Sequence, residues 1–309
     1  MNRPSVAVLG ATGALGAEIL SRLPSDLPRA TVHAFASERS VGDRADEYQI
    51  LPLSDVAQLP APDVLIITTP DGVVIPNFEA GQRATQRVDL RPSARRASRP
   101  SDALTVLGPA ASTIQRLIEA LNPVNPIHRI SGSVLESASM AGRAALDELR
   151  DQTIALLSFR TPPVRALPRR LAFDVLAETE PTADGQDSKS EELLTEELAR
   201  FTTIPCRLSH IRLPVFIGLG LDLTLLFEAP VDLTAIKDAI ANAPGIDLRT
   251  DQAPNLSDAL GCDEVLVGRI RRDPTNARAL NLWLVVDNLG LTAQAVIDVV
   301  KTILLSKPD

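Results

Sequence analysis

The sequence predicts an α/β fold: a Rossmann-like dinucleotide-binding domain, then an α+β domain with a mixed sheet. Three observations predict it. A valine-rich run at residues 5–9 enters a glycine-rich turn, short apolar runs alternate with helical segments over the first third, and longer strand-like runs fill the second half. At 309 residues the chain is longer than one core usually serves, so two domains are expected.

Residues 5–9 (SVAVL) suit a buried parallel strand. After the turn, Ala14 to Leu23 reads as a helix stopped by Pro24. Residues 31–36 (TVHAFA), Val64 to Thr68, Arg87 to Leu90 and Leu104 to Leu107 read as further strands. Residues 92–102 are polar and proline-rich and read as an exposed loop. Ile114, Leu117, Ile118 and Leu121 recur at helical spacing, so Ser112 to Leu121 reads as a helix, with Ser112 or Thr113 as its cap. Ala138 to Leu157 reads as a long helix, 181–190 as a loop and Ser190 to Phe201 as another helix. Leu208 to Ile217, Asp222 to Phe227, Val265 to Arg271 and Leu280 to Asp287 read as strands of a second sheet. Val231 to Asn242 and Thr292 to Leu305 read as helices, the last expected to pack on the first domain. The expected domains are therefore 1–112, completed by 292–309, and 113–291.

The formal net charge of −8 argues against a general nucleic-acid binder, which needs a basic surface for phosphates. The arginines Arg91, Arg95, Arg96 and Arg99 are a local exception. Two cysteines, Cys206 and Cys262, make no disulfide framework and fit a reducing compartment. No signal peptide is apparent, and no apolar stretch is expected to reach the roughly 18 residues of a membrane span. A cytoplasmic protein with no membrane or nucleic-acid partner is expected. Neither metal-ligand spacing nor a serine–histidine–acid arrangement is evident, and His33, His128 and His210 read as structural or surface side chains.

The turn Gly10-Ala11-Thr12-Gly13-Ala14-Leu15-Gly16 lies between a predicted strand and a predicted helix. Glycines there let backbone N–H groups approach a pyrophosphate, and the helix N-terminus favours the anion. The second strand runs into Ser37-Glu38-Arg39-Ser40. Arg39 and the hydroxyls of Ser37 and Ser40 suit a 2′-phosphate, so NADP is favoured over NAD.

Taken in order, Gly10 to Gly16, Ala36 to Ser40, Ser112 to Gln115, Arg212 to Gly218, Val267 to Arg271 and Asn281 to Trp283 resemble bacterial aspartate-semialdehyde dehydrogenases. The resemblance spans nearly the whole chain and is strongest to the paralogues called USG-1 homologues. It implies an oxidoreductase family of amino-acid biosynthesis that reduces an acyl phosphate with NADPH through a cysteine thioester, and a homodimer formed through the second domain's sheet. It also implies an anion site at Arg95, Glu191 and Arg212.

The same resemblance exposes what is missing. The motif Asn-Pro-x-Cys-Ser-Thr is matched by Gly108 to Thr113, with Ala111 at the nucleophile position. A methyl group cannot form a thioester. The acid/base histidine is matched by Leu219, which cannot exchange a proton. A glutamine of the family is matched by Glu136. The glycines beside the nicotinamide are replaced at Thr68 to Asp71, and the late segment contracts at Asn288 to Ala293, so cofactor binding is expected to be weakened or lost. Three readings follow: an inactive paralogue that keeps NADP or anion binding, an active NADP-dependent oxidoreductase with displaced catalytic residues, and a structural or regulatory dimerisation partner.

Overall fold

The computed structural model describes residues 3–42, 44–45, 47–73, 86–96, 103–180, 182–183 and 185–306. Arg99 lies outside them, as does most of the expected loop at 92–102. The chain divides into two compact units, residues 1–107 with 292–309, and residues 108–291.

The first unit contains β1 (Ser5–Leu9), α1 (Ala14–Asp26), β2 (Thr31–Ala36), β3 (Arg44–Ala45), β4 (Tyr48–Pro52), β5 (Val64–Ile67), β6 (Gln86–Asp89), α2 (Pro92–Arg96) and β7 (Ala103–Leu104). Its strands form one sheet in the order β3-β4-β2-β1-β5-β6-β7, parallel except for the β3–β4 pair. From β1 the chain moves to β2 on one side and later to β5 on the other. The crevice at the carboxyl ends of β1 and β5 is therefore a topological switch point, where ligands of such sheets bind. Both faces of the sheet are apolar. Val6, Val8, Ile19, Leu20, Val64 and Ile66 pack on one side, and Ala7, Leu9, Phe35, Leu65 and Ile67 with Leu53 and Val56 on the other. Burial on both faces explains why these strands read as unbroken apolar runs.

The second unit contains α3 (Pro109–Leu121), β8 (Ile127–Glu136), α4 (Arg143–Leu157), α5 (Lys189–Leu198), β9 (Cys206–Arg212), β10 (Leu219–Phe227), α6 (Leu233–Ala241), β11 (Ile246–Leu248), β12 (Val265–Asp273) and β13 (Asn276–Val286). The sheet order is β11-β12-β13-β10-β8-β9, mixed parallel and antiparallel. One face is solidly apolar: Ile130, Val134, Leu221, Leu223, Leu225, Leu280, Leu282 and Leu284 are all buried. On it α3 packs against β8 and β10, and α5 against β9. α7 (Asn288–Leu305) closes the chain. Contrary to the expectation of no spanning-length apolar stretch, it reaches 18 residues at a mean hydropathy of 1.3. In the fold its stripe of Ala293, Val296, Val300 and Ile303 packs into the first unit's core.

Several elements differ from the sequence expectation. α1 runs past Pro24 to Asp26, because a missing N–H in the last turn removes one hydrogen bond without ending the helix. Ser112 and Thr113 do not cap α3. Gly108 is the N-cap, the helix begins at Pro109, and the Thr113 hydroxyl donates to Pro109 O at 2.7 Å. The expected helix from Ala138 is first a short 3-10 turn, Ala138–Ala141, and Gly142 at φ 86° separates it from α4. Pro92–Arg96 is a short helix rather than loop. β3, β4, β8 and β11 were not expected at all.

Candidate functional site

In the first unit the glycine-rich turn leaves β1 at Gly10, whose φ of +90° disfavours any residue with a Cβ. The N–H groups of Gly10 and Ala11 both donate to Phe35 O, at 2.9 and 3.0 Å, and Gly13 N donates to Gly10 O at 2.9 Å. A Cβ at Gly16 would stand 2.1 Å from Gly10 O, so α1 can approach the turn only with glycine there. Ala14 and Leu15 form the first turn of α1. The N-cap, Gly13, supplies no side-chain acceptor and the first turn has no acidic residue, so that turn's N–H groups are left for an anion.

The second half of this site comes from the end of β2. Ser37 precedes a 3-10 turn, Glu38–Ser40, and Thr12 Oγ1 lies 3.3 Å from Ser40 Oγ. The glycine-rich turn and the Ser37–Ser40 turn therefore meet at Thr12 and Ser40. Arg39 is exposed. At the end of β5, Thr69 Oγ1 is buried with no protein partner, and Thr69 N would lie 3.1 Å from a Cβ on Gly10. Gly10 is thus pressed against the Thr68–Thr69 backbone, and the orphaned Thr69 hydroxyl beside the glycine-rich turn fits a dinucleotide. Asp71 is tied up, accepting from Ser93 N and Ser93 Oγ at 3.2 and 2.5 Å.

In the second unit the ladder aligns three side chains that are far apart in sequence. Glu136 on β8 is the register partner of Leu219 on β10 and of Arg212 on β9. Cross-strand partners share a face and stand about 5 Å apart. His210 lies two residues from Arg212 and so on that same face. Ala111, in the first turn of α3, is fully buried.

Glu136, His210 and Arg212 are 1%, 4% and 3% exposed. Glu136 Oε1 is 2.6 Å from His210 Nδ1, and Arg212 Nη2 donates to Glu136 Oε2 at 2.8 Å. Arg212 Nη1 donates to Thr179 O at 2.9 Å. Burial alone would raise the Glu136 pKa; the hydrogen bonds and charges of His210 and Arg212 outweigh it and hold the carboxyl below the ordinary glutamate range. A carboxylate only accepts, so Nδ1 of His210 carries the proton. Its Nε2, and Nε of Arg212, are buried with no protein partner.

Comparison with known proteins decides the family. Residues 5–100 match the semialdehyde dehydrogenase NAD binding domain and residues 118–291 the semialdehyde dehydrogenase dimerisation domain. An aspartate-semialdehyde dehydrogenase of Synechocystis is 30% identical over 92% of each chain. The chain belongs to the semialdehyde dehydrogenase family. A USG-1 protein homologue of Azotobacter vinelandii is 28% identical, again over 92% of each chain. The fold is that of aspartate semialdehyde dehydrogenase II of Vibrio cholerae, solved in complex with ASA, with a TM-score of 0.84, 23% identity and 100% of both chains covered.

Within this semialdehyde dehydrogenase fold, His210, expected to be structural or surface, is a buried structural side chain, and lateral pairing through β8 brings its strand within two strands of Leu219. Glu191 is not a free carboxylate. Its Oε2 accepts from Ser188 N at 2.7 Å as half of a capping box, and its Oε1 accepts from His210 N at 3.0 Å. Arg95 lies on α2 of the first unit. Burial pushes the Cys206 thiol up to about 11, and its Sγ lies 3.3 Å from Ile204 O, so it is a poor nucleophile at neutral pH. Among the described residues no cluster of His, Cys, Asp and Glu is suited to a metal ion. The glutamate–histidine–arginine cluster could have been found by asking which strand lies between Arg212 and Leu219.

Proposed function

We propose that this protein is a non-catalytic member of its family that retains NADP binding in the first unit. The observation that carries the reading is Ala111: a fully buried methyl group where the family's chemistry requires a thiol. Leu219, also fully buried, offers no proton at the second position. Loss of a nucleophile alone lowers rates by about 10⁴–10⁶. Purified protein with NADP, phosphate and aspartate semialdehyde is expected to give no rise in nicotinamide absorbance above the no-enzyme rate. Turnover that persists after host enzyme is excluded would sink this reading. Displaced catalysis through Cys206 is disfavoured by its high pKa.

The dinucleotide, when bound, supplies hydride chemistry. The chain's part is to hold it: Gly10, Thr12, Gly13, Ala14, Leu15 and Gly16 receive the pyrophosphate, and Ser37, Arg39 and Ser40 the 2′-phosphate. Calorimetry is expected to show NADPH binding more tightly than NADH, and Arg39→Ala to cost about tenfold for NADPH with little change for NADH, as loss of one charge-assisted contact predicts. Equal losses for both would remove Arg39 from the 2′-phosphate site. In the second unit Arg212 is the side chain suited by charge and shape to a small carboxylate.

The dimerisation domain supports a homodimer through the open face of the second sheet, where Ser131, Ser133, Leu135, Thr224 and Leu226 are only half-buried. Sedimentation equilibrium should give about twice the 33.1 kDa chain mass at micromolar concentration. A monomer mass would overturn the assembly.

A further inference from the structure

We propose that Glu136 is a built-in ligand of Arg212, a carboxylate supplied by the chain itself that closes this cationic position to free carboxylates. The inference deepens the reading of Arg212 as the carboxylate-binding side chain and rests on it.

Three observations carry it. First, the pairing is direct and dry. Arg212 Nη2 donates to Glu136 Oε2 at 2.8 Å, and the two side chains are 4% and 1% exposed. A guanidinium out of water cannot stay unpaired, and a carboxylate fixed on the adjacent strand is favoured over a free one because it carries no association cost. Second, the position of Glu136 is enforced from both sides. It is the register partner of Arg212 on β9 and of Leu219 on β10, and its other oxygen is held by His210 Nδ1 at 2.6 Å. Swinging away from Arg212 would break that bond as well. Third, the remaining reach of the guanidinium is short. Nη1 is committed to Thr179 O, and Glu180 Oε1 stands 4.0 Å from Nη2 as a second negative group. Only Nε lacks a protein partner, and a single N–H cannot offer the forked pair that a carboxylate selects.

A free anion must therefore displace Glu136 or lie against it, and both are unfavourable. Glu136 then sets specificity: it excludes dicarboxylates from the second unit while leaving the dinucleotide site of the first untouched.

The test uses the full chain and succinate as the dicarboxylate probe. In the unmodified protein the Arg212 Nε–H resonance is expected to stay fixed as succinate is added, and calorimetry to show no saturable heat. Glu136→Gln keeps the side chain's shape and removes its charge. It is expected to bind succinate at least about tenfold more tightly than the parent, and Glu136→Gln with Arg212→Gln to lose that gain. Saturable succinate binding that moves Arg212 in the unmodified chain would overturn the proposal, as would a folded Glu136→Gln protein with no gain, or a gain that survives loss of Arg212. Should Glu136→Gln not fold, the titration of the unmodified chain still decides. NADPH affinity measured alongside separates failure of this proposal from failure of the dinucleotide reading.

Discussion

Glu136→Ala is expected to destabilise the chain by about 3–5 kcal/mol, the cost of leaving a buried charge without its partner. The methyl group abandons two side chains at once. Arg212 keeps a full charge at 3% exposure, hydrogen-bonded only to the Thr179 carbonyl and with the Glu180 carboxylate at 4.0 Å, and His210 loses the acceptor for Nδ1 while Nε2 already has none. Glu136→Gln should cost less, because its amide oxygen can still accept from one of the two. In urea unfolding the midpoints should fall in the order parent, Gln, Ala, with the slope unchanged. An Ala variant within about 1 kcal/mol of the parent would mean that the cluster is solvated and unimportant.

The same carboxylate gives the protein a pH dependence whose sign is fixed. Its folded pKa lies below the ordinary glutamate value, so the unfolded chain takes up the proton first. The stabilisation is complete above the unfolded pKa of about 4.3 and disappears as the pH falls through the lower folded value. Acid titration of stability should therefore steepen in the parent below about pH 4 relative to Glu136→Gln.

What the sequence disclosed depended on the burial of each strand. β1, β2, β5 and β6 are covered on both faces or nearly so, and a run such as SVAVL announces itself. β8 did not, although it lies inside the second sheet and bears Glu136. Its sequence, IHRISGSVLE, buries Ile130, Val134 and Glu136 on one face, while Ser131 and Ser133 stand on the half-open other face. Gly132 breaks the apolar alternation for a steric reason: a Cβ there would lie 2.0 Å from Asp222 O. The cluster was hidden by the same omission. Judged along the chain, His210 and Leu219 are nine residues apart. Judged across the sheet, both belong to strands that flank β8. Ala111 was legible because its motif is local, whereas a site assembled by lateral pairing needs the strand order.

Two glycines of the first unit should separate folding from nucleotide binding. At Gly16 an added Cβ meets Gly10 O at 2.1 Å and Gly10 C at 2.8 Å, both backbone atoms with no rotamer to yield. Gly16→Ala must push α1 off the end of β1, against a core in which Ile19, Leu20 and Leu23 are wholly buried. The expected cost is about 3 kcal/mol, the upper range of overpacking, or a fall in melting temperature on the order of 10 °C. At Gly13 the backbone is ordinary, φ −67° and ψ 159°, and the Cβ meets only Gly10 O at 3.1 Å. A shift of a few tenths of an ångström accommodates it, so Gly13→Ala should melt within about 2 °C of the parent, a loss below about 1 kcal/mol. Its methyl group nevertheless stands at the N-cap of α1, where a pyrophosphate would meet the helix's free N–H groups, and NADPH affinity is expected to fall about tenfold or more. Gly16→Ala, which displaces the start of α1 from the turn, should lose stability and NADPH affinity together, so Gly13→Ala is the variant that isolates binding. If Gly13→Ala binds NADPH as the parent does, the turn is kept for packing alone, and the dinucleotide reading of this unit falls with it.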